Sequence, residues 1–107
     1  MSMLGKLEQV VLLAVMRVGQ HAYGVPVHDE IQTRAGRDLT LGTIYKTLSR
    51  LEEKGLVASH VGEPTSERGG RRTRCYVVTA AGKRSLHATF KTLRRMASGL
   101  DMGFEPT

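Results

Sequence analysis

The chain has no tryptophan, one cysteine and three prolines in 107 residues, and aromatic residues make up only 5% of it. A single cysteine, Cys75, cannot close an intrachain disulfide and fits a reducing cytosol. Without tryptophan a common stacking platform for flat ligands is missing. The longest apolar run, Val10–Met16, is far shorter than the roughly 20 residues a bilayer-spanning helix needs. Met1–Gly5 has no basic segment ahead of an apolar stretch and cleavage site, so no secretory signal is expected. His21, His28, His60 and His87 lack metal-ligand spacing, and neither a phosphate loop nor a nucleophile motif is present. These absences predict a soluble, cytoplasmic, single-domain protein that is not an enzyme, with no cofactor, no metal and no membrane partner.

Acidic residues are the most unevenly missing. Residues 1–67 carry seven Lys/Arg against eight Asp/Glu, whereas residues 68–107 carry nine against two. No acidic residue occurs between Arg68 and Arg95, and the net charge of +6 comes from that half. A basic block of this density points to a polyanionic partner, with nucleic acid ahead of a membrane surface.

What is present centres on Thr40–Val57. Leu41, Ile44, Leu48 and Leu51 recur at the spacing of one apolar helix stripe. Thr40 stands before the stripe as an N-cap, and Gly55 follows it as the left-handed residue that ends a helix. The opposite face reads Gly42, Thr43, Lys46, Thr47, Arg50 and Glu53. Short and hydroxyl-bearing residues at one end and cations a turn later suit entry into the DNA major groove. Taken alone, the same face also describes an ordinary solvated helix.

The flanking segments favour the DNA reading. Lys6–Val18 has helical length and propensity but is apolar nearly all round, so it needs covering on two sides. Gly19–Gly24 is a loop. A short helix follows, with Pro26 in its first turn, Val27 and Ile31 on its inner edge and Gly36 as its stop. Only Arg37–Leu39 separate it from the Thr40 helix, which is the spacing of a helix-turn-helix. Leu56–Val61 and Arg72–Val78 read as two strands joined by a turn-rich loop, 62–70. This hairpin carries Arg68, Arg71, Arg72 and Arg74, and a basic hairpin next to a recognition helix is a wing able to touch phosphates. Which of Cys75–Val78 face inward is open, because all four tolerate burial. Thr79 caps a last helix on which Leu86, Phe90, Leu93, Ala97 and Leu100 form a heptad seam. That helix is longer than a domain of this size needs for its own core, so the seam is expected to meet a partner. Asp101–Thr107 reads as a tail.

In this order the chain resembles the PadR family of bacterial transcriptional regulators. Tyr23-Gly24 matches the family's YG ahead of the second helix. Gly42–Val57, GTIYKTLSRLEEKGLV, matches the pattern GT-[LI]-Y-x-x-L-x-R-L-E-x-x-G-L-V. Arg74, Tyr76 and Thr79-x-x-Gly82 follow the wing strand and the start of the last helix. The resemblance implies a mostly helical α+β fold: a winged helix-turn-helix domain over 1–78, a dimerisation helix over 79–100 and a tail over 101–107. It implies a homodimer formed through the first and last helices, with Val11, Val15, Leu86, Phe90, Leu93, Ala97 and Leu100 at the interface. It also implies ligand-relieved repression at promoters, with Thr43, Tyr45 and Lys46 facing DNA and Tyr23 near a phosphate. With Thr40, Gly42, Thr47 and Arg50 of the helix and Arg68, Arg71 and Arg72 of the wing, these complete the expected interface with double-stranded DNA.

Two departures from the family pattern stand out. Lys46 replaces a frequent proline and adds a cation at the groove, and Cys75 replaces a usual aromatic residue at the wing base. The sequence assigns no small-molecule effector. The rival readings are a winged helix used only for protein–protein contact and a sensor with its effector at the dimer interface.

Overall fold

A computed structural model describes residues 3–62 and 73–103. Its first helix, α1 (Lys6–Val18), starts where the Glu8 carboxylate turns back to accept from the Gly5 backbone N–H at 3.0 Å, satisfying one of the helix's orphan donors. Because its sequence is apolar on every side, periodicity alone cannot orient it. Packing does so: Val11, Leu12, Ala14 and Val15 turn into the core, while Leu13 and Met16 are left exposed. The expected place of Val11 and Val15 on the dimer face needs correction. At 0% and 2% exposure they are covered by their own domain, and the uncovered side of α1 is the Leu13/Met16 side.

A 3-10 turn (Gly19–His21) leads to α2 (Gly24–Ala35), whose third residue is Pro26, at a position where no intrahelical donor is required. Val27 and Ile31 face the core, and Gly36, at φ +64°, ends the helix in the left-handed region. Then comes α3 (Leu41–Glu53). Thr40 Oγ1 accepts from the Thr43 N–H at 3.1 Å, as an N-cap should. At the other end Gly55 (φ +75°) donates to the Glu52 carbonyl and Leu56 donates to that of Leu51, both at 2.9 Å, the paired bonds of a Schellman stop. Ile44, Leu48 and Leu51 are fully buried. Leu41, counted with the same stripe, is 40% exposed instead; it is the first residue of α3.

The strands β1 (Val57–Val61) and β2 (Arg74–Val78) pair antiparallel, from Val57 opposite Val78 to Val61 opposite Arg74. The connection between them, with Arg68, Arg71 and Arg72, lies outside the described residues. Tyr76 and Val78 join the core; Cys75, on the other face of the strand, is also buried, beside Gly62. The Tyr76 N–H donates to the Ala22 carbonyl at 2.9 Å, stitching the hairpin to the segment ahead of α2.

The last helix, α4 (Ala80–Ala97), is anchored by one hydroxyl with two duties. Thr79 Oγ1 accepts from the Gly82 N–H at 3.1 Å and donates to the Gly55 carbonyl at 2.7 Å. Gly82 must be glycine, because a Cβ there would run into the Leu56 carbonyl oxygen. Further along, the Leu4 N–H donates to the buried Thr89 hydroxyl at 3.2 Å. Beyond Phe90 the helix leaves the domain and Leu93 and Met96 are exposed; the helix ends at Ala97, short of Leu100. Among the described residues these elements form a winged helix-turn-helix with one added helix.

Candidate nucleic-acid interface

The outward face of α3 follows from its buried one. With Ile44, Leu48 and Leu51 turned inward, Gly42, Lys46 and Arg50 project to solvent, and the capping residue Thr40 is exposed at the N-terminal end. Thr43 is half-buried. Its hydroxyl oxygen accepts from the Thr40 hydroxyl at 2.9 Å, which leaves its own proton for an outside acceptor. Both ends of the helix are closed by hydrogen bonds, and Ile44, Leu48 and Leu51 fix its rotation, so this polar face is held in one orientation.

Thr47 does not belong to that face. It is 3% exposed and its hydroxyl donates to the Thr43 carbonyl at 2.8 Å. At 3.6 residues per turn it stands only about 60° from Ile44, so it is at the edge of the buried stripe rather than on the far side. Tyr23 also departs from expectation. It fills the N-cap position of α2 and is 8% exposed, so its ring belongs largely to the interior.

Tyr45 is 38% exposed and leans across to α2, where a Cβ on Gly24 would collide with its ring and hydroxyl. The two short motifs Tyr23-Gly24 and Ile44-Tyr45 therefore meet in space, with glycine required so that the tyrosine can lie against the start of α2. In the sequence these motifs stand apart; only their joint presence hints at a shared site.

Of the wing arginines, the structure describes Arg74. Its Nη1 donates to Ser59 Oγ at 2.8 Å, and the Ser59 hydroxyl in turn donates to the Glu52 carboxylate near the end of α3. This chain ties the hairpin base to the helix. Burial first, and then the nearby Glu52 charge, push the Tyr76 hydroxyl above its ordinary pKa, with Arg74 acting in the opposite direction. Glu8 links α1 to the other side of the same helix end. Burial acts to raise its pKa, but its hydrogen bonds to Lys54 and to the Gly5 N–H, with the Lys54 and Arg50 charges, bring it below the ordinary value of 4.5.

The seam expected for dimerisation splits in two. Leu86 is 5% exposed within the core, and Phe90 packs against it. Leu93 and Met96 are exposed, Ala97 is half-buried, and Leu100 is exposed beyond the helix end. The heptad spacing is continuous, so it cannot show where the domain stops using it. A groove of about 690 Å³ lies elsewhere, between the end of α1, the outer side of the hairpin and Lys83. Its walls include Val15, Met16, Val77 and Val78. Among the described residues no cluster of histidine, cysteine and carboxylate side chains could hold a metal ion, and no helix is long and apolar enough to cross a membrane.

A PadR-family regulator from Clostridium difficile is 27% identical, with a TM-score of 0.70 over 86% of this chain and 91% of its own. A PadR family transcriptional regulator from Eggerthella lenta is 24% identical, with a TM-score of 0.67 over 88% and 81% of the two chains. A PadR-like regulator from Bacillus cereus shares the fold at 22% identity, with a TM-score of 0.67 over 86% and 84%. No protein of curated function matches the chain. The model of the transcriptional regulator PadR-like family matches residues 12–88, which include α2, α3, the hairpin and the packed half of α4. The chain belongs to the PadR-like family of transcriptional regulators, which are not enzymes.

Proposed function

We propose that the protein is a sequence-specific repressor that binds a pseudo-palindromic operator as a homodimer. The observation that carries this reading is the outward face of α3: Lys46 and Arg50 exposed a turn apart, with Gly42 and the Thr40–Thr43 hydroxyl pair ahead of them, on a helix closed at both ends. Gly42 permits close approach to the groove. The free Thr43 proton suits a phosphate oxygen, and the two cations suit guanine edges or phosphates. Tyr45, held against Gly24, adds a ring and hydroxyl at the border of that face. Arg68, Arg71 and Arg72 enter the proposal on charge alone, as backbone contacts from the hairpin connection.

The dimer is proposed on the apolar surface left over. Leu93 and Met96 on α4, and Leu13 and Met16 on α1, are large apolar side chains 38% exposed or more. Exposed apolar area costs roughly 25 cal/mol per Å², so a second copy covering it is favoured, and a closed two-fold interface uses each patch twice. Regulation by a small apolar molecule has its own observation in the groove beside Met16 and Val77.

Selection of bound sequences from a random DNA pool tests the reading. Two inverted half-sites about one helical turn apart, on the order of 10 bp centre to centre, are expected. An enriched single half-site would remove the two-fold operator, and no enrichment would remove sequence-specific binding.

A further inference from the structure

A second charged surface lies on α4, away from the reading helix. Lys83, Arg84, Lys91, Arg94 and Arg95 are all exposed, and the exposed His87 stands among them. At about 100° per residue the six fall within an arc about 120° wide, and they run for about 18 Å along the helix. The residues that α4 buries, Gly82, Ser85, Leu86 and Thr89, lie on the opposite arc, and the exposed Leu93 and Met96 continue that arc. The apolar surface proposed for dimerisation and the cationic stripe therefore occupy different sides of one helix.

An ordinary solvated face mixes signs; this one does not. No acidic residue occurs anywhere from 68 to 100, and none of the six takes part in the ion pairs among the described residues. Elsewhere Arg34 is held by Glu30 and Lys54 by Glu8, so what sets the stripe apart is five cations on one helix side with no acidic residue among them. Lys91 stands three and four residues from Arg94 and Arg95, spacings at which like charges repel on a helix. Lys83 and Arg84 sit close to the positive end of the helix dipole, where cations are disfavoured. The arrangement costs the free protein stability, and a polyanion laid along it would relieve that cost.

We propose that this stripe binds the phosphate backbone of double-stranded DNA without regard to sequence. Duplex DNA carries about one negative charge per 1.7 Å of axis, which supplies several phosphates over the length of the stripe. Entry into a bilayer would instead need a free apolar face along the whole helix, and the first half of α4 uses that face for Leu86 and Thr89. The inference does not depend on α3 being the reading helix.

The test uses the full chain with Arg84, Lys91, Arg94 and Arg95 all changed to Gln, and Lys83 left in place because it borders the groove. Fluorescence anisotropy on a random-sequence duplex of about 40 bp, over a salt series, should show affinity at the lowest salt reduced roughly tenfold or more. The slope of log K against log salt should flatten by about one unit for each phosphate no longer neutralised, two to four in all. A variant with Arg84, Arg94 and Arg95 changed to Lys should keep the unmodified slope, because a phosphate accepts either cation. In the Lys46→Ala, Arg50→Ala background the stripe substitutions should still flatten the slope; if α3 does not read DNA, that background alone binds as the unmodified protein does and the stripe effect is untouched. An unchanged slope in the glutamine variant overturns the proposal. So does an equal loss in the lysine variant, or a loss confined to phosphatidylserine vesicles with DNA binding intact.

Discussion

The helices α3 and α4 begin in the same way and end differently. Each starts at a threonine whose side-chain oxygen accepts from the backbone N–H three residues on, at 3.1 Å. Each has an apolar stripe at helical spacing. In α3 the stripe is buried from Ile44 to Leu51 and the chain stops on a hydrogen-bonded Gly55; in α4 burial ends near Phe90 and two large apolar residues lie beyond it. The difference fits the proposed roles: α3, proposed to present one polar face to DNA, has Ile44, Leu48 and Leu51 enclosed by its own domain. The exposed Leu93 and Met96 of α4 are the surface proposed to meet a second copy.

The two halves of α4 give the largest expected contrast. Leu86→Ala removes a side chain enclosed by the core and should cost about 2–5 kcal/mol in urea unfolding, as cavity-forming substitutions do. Leu93→Glu with Met96→Glu should leave the folded protomer nearly as stable but abolish self-association in sedimentation, and operator affinity should fall with it. Equal losses of protomer stability from both variants would mean that the distal half of α4 also packs on its own domain.

The threonine caps sharpen the same comparison at smaller scale. Removing either should cost about 0.5–2 kcal/mol. Thr79→Ala should lie at the upper end, because its hydroxyl also donates to the Gly55 carbonyl and so holds α4 to the stop of α3. Thr40→Ala loses its cap and its bond to Thr43, and its larger effect should be on DNA affinity rather than on unfolding.

How much of this is legible in the sequence depends on punctuation. Around α3, Thr40 and Gly55 mark both ends and the stripe between them is unambiguous, so the helix, its turn from α2 and most of its outward face can be read directly. Thr47 escapes that reading because a residue at the edge of a stripe is polar by type and buried by angle. Val11 and Val15 cannot be oriented, since a helix apolar all round has no period to read. The register of β2 is hidden for a similar reason: Cys75, Tyr76 and Val78 all tolerate burial, and all three are buried. The division of the α4 seam depends on which residues the domain covers, among them Thr89, which meets Leu4, 85 residues away in sequence, and no local pattern reports such a contact.

The smallest expected effect concerns the clamp between α1 and the end of α3. The Glu8 pKa is lowered in the fold, so its contribution to stability is present above the ordinary value of 4.5 and is lost as pH falls below it through the lowered value. With Lys54 half exposed, the effect should be on the order of 1 kcal/mol or less. In Glu8→Gln, thermal unfolding should lose that part of its acid dependence. An identical acid limb in the two proteins would mean the pair contributes nothing to stability.

The most direct test of the central claim is the affinity of Lys46→Ala and Arg50→Ala for the selected operator beside a random duplex, at one fixed salt concentration. If these side chains read bases, each substitution should cost about 1–3 kcal/mol on the operator and much less on the random duplex, so that the preference for the operator collapses. Unchanged operator preference in the double variant would contradict the account and remove α3 from the interface.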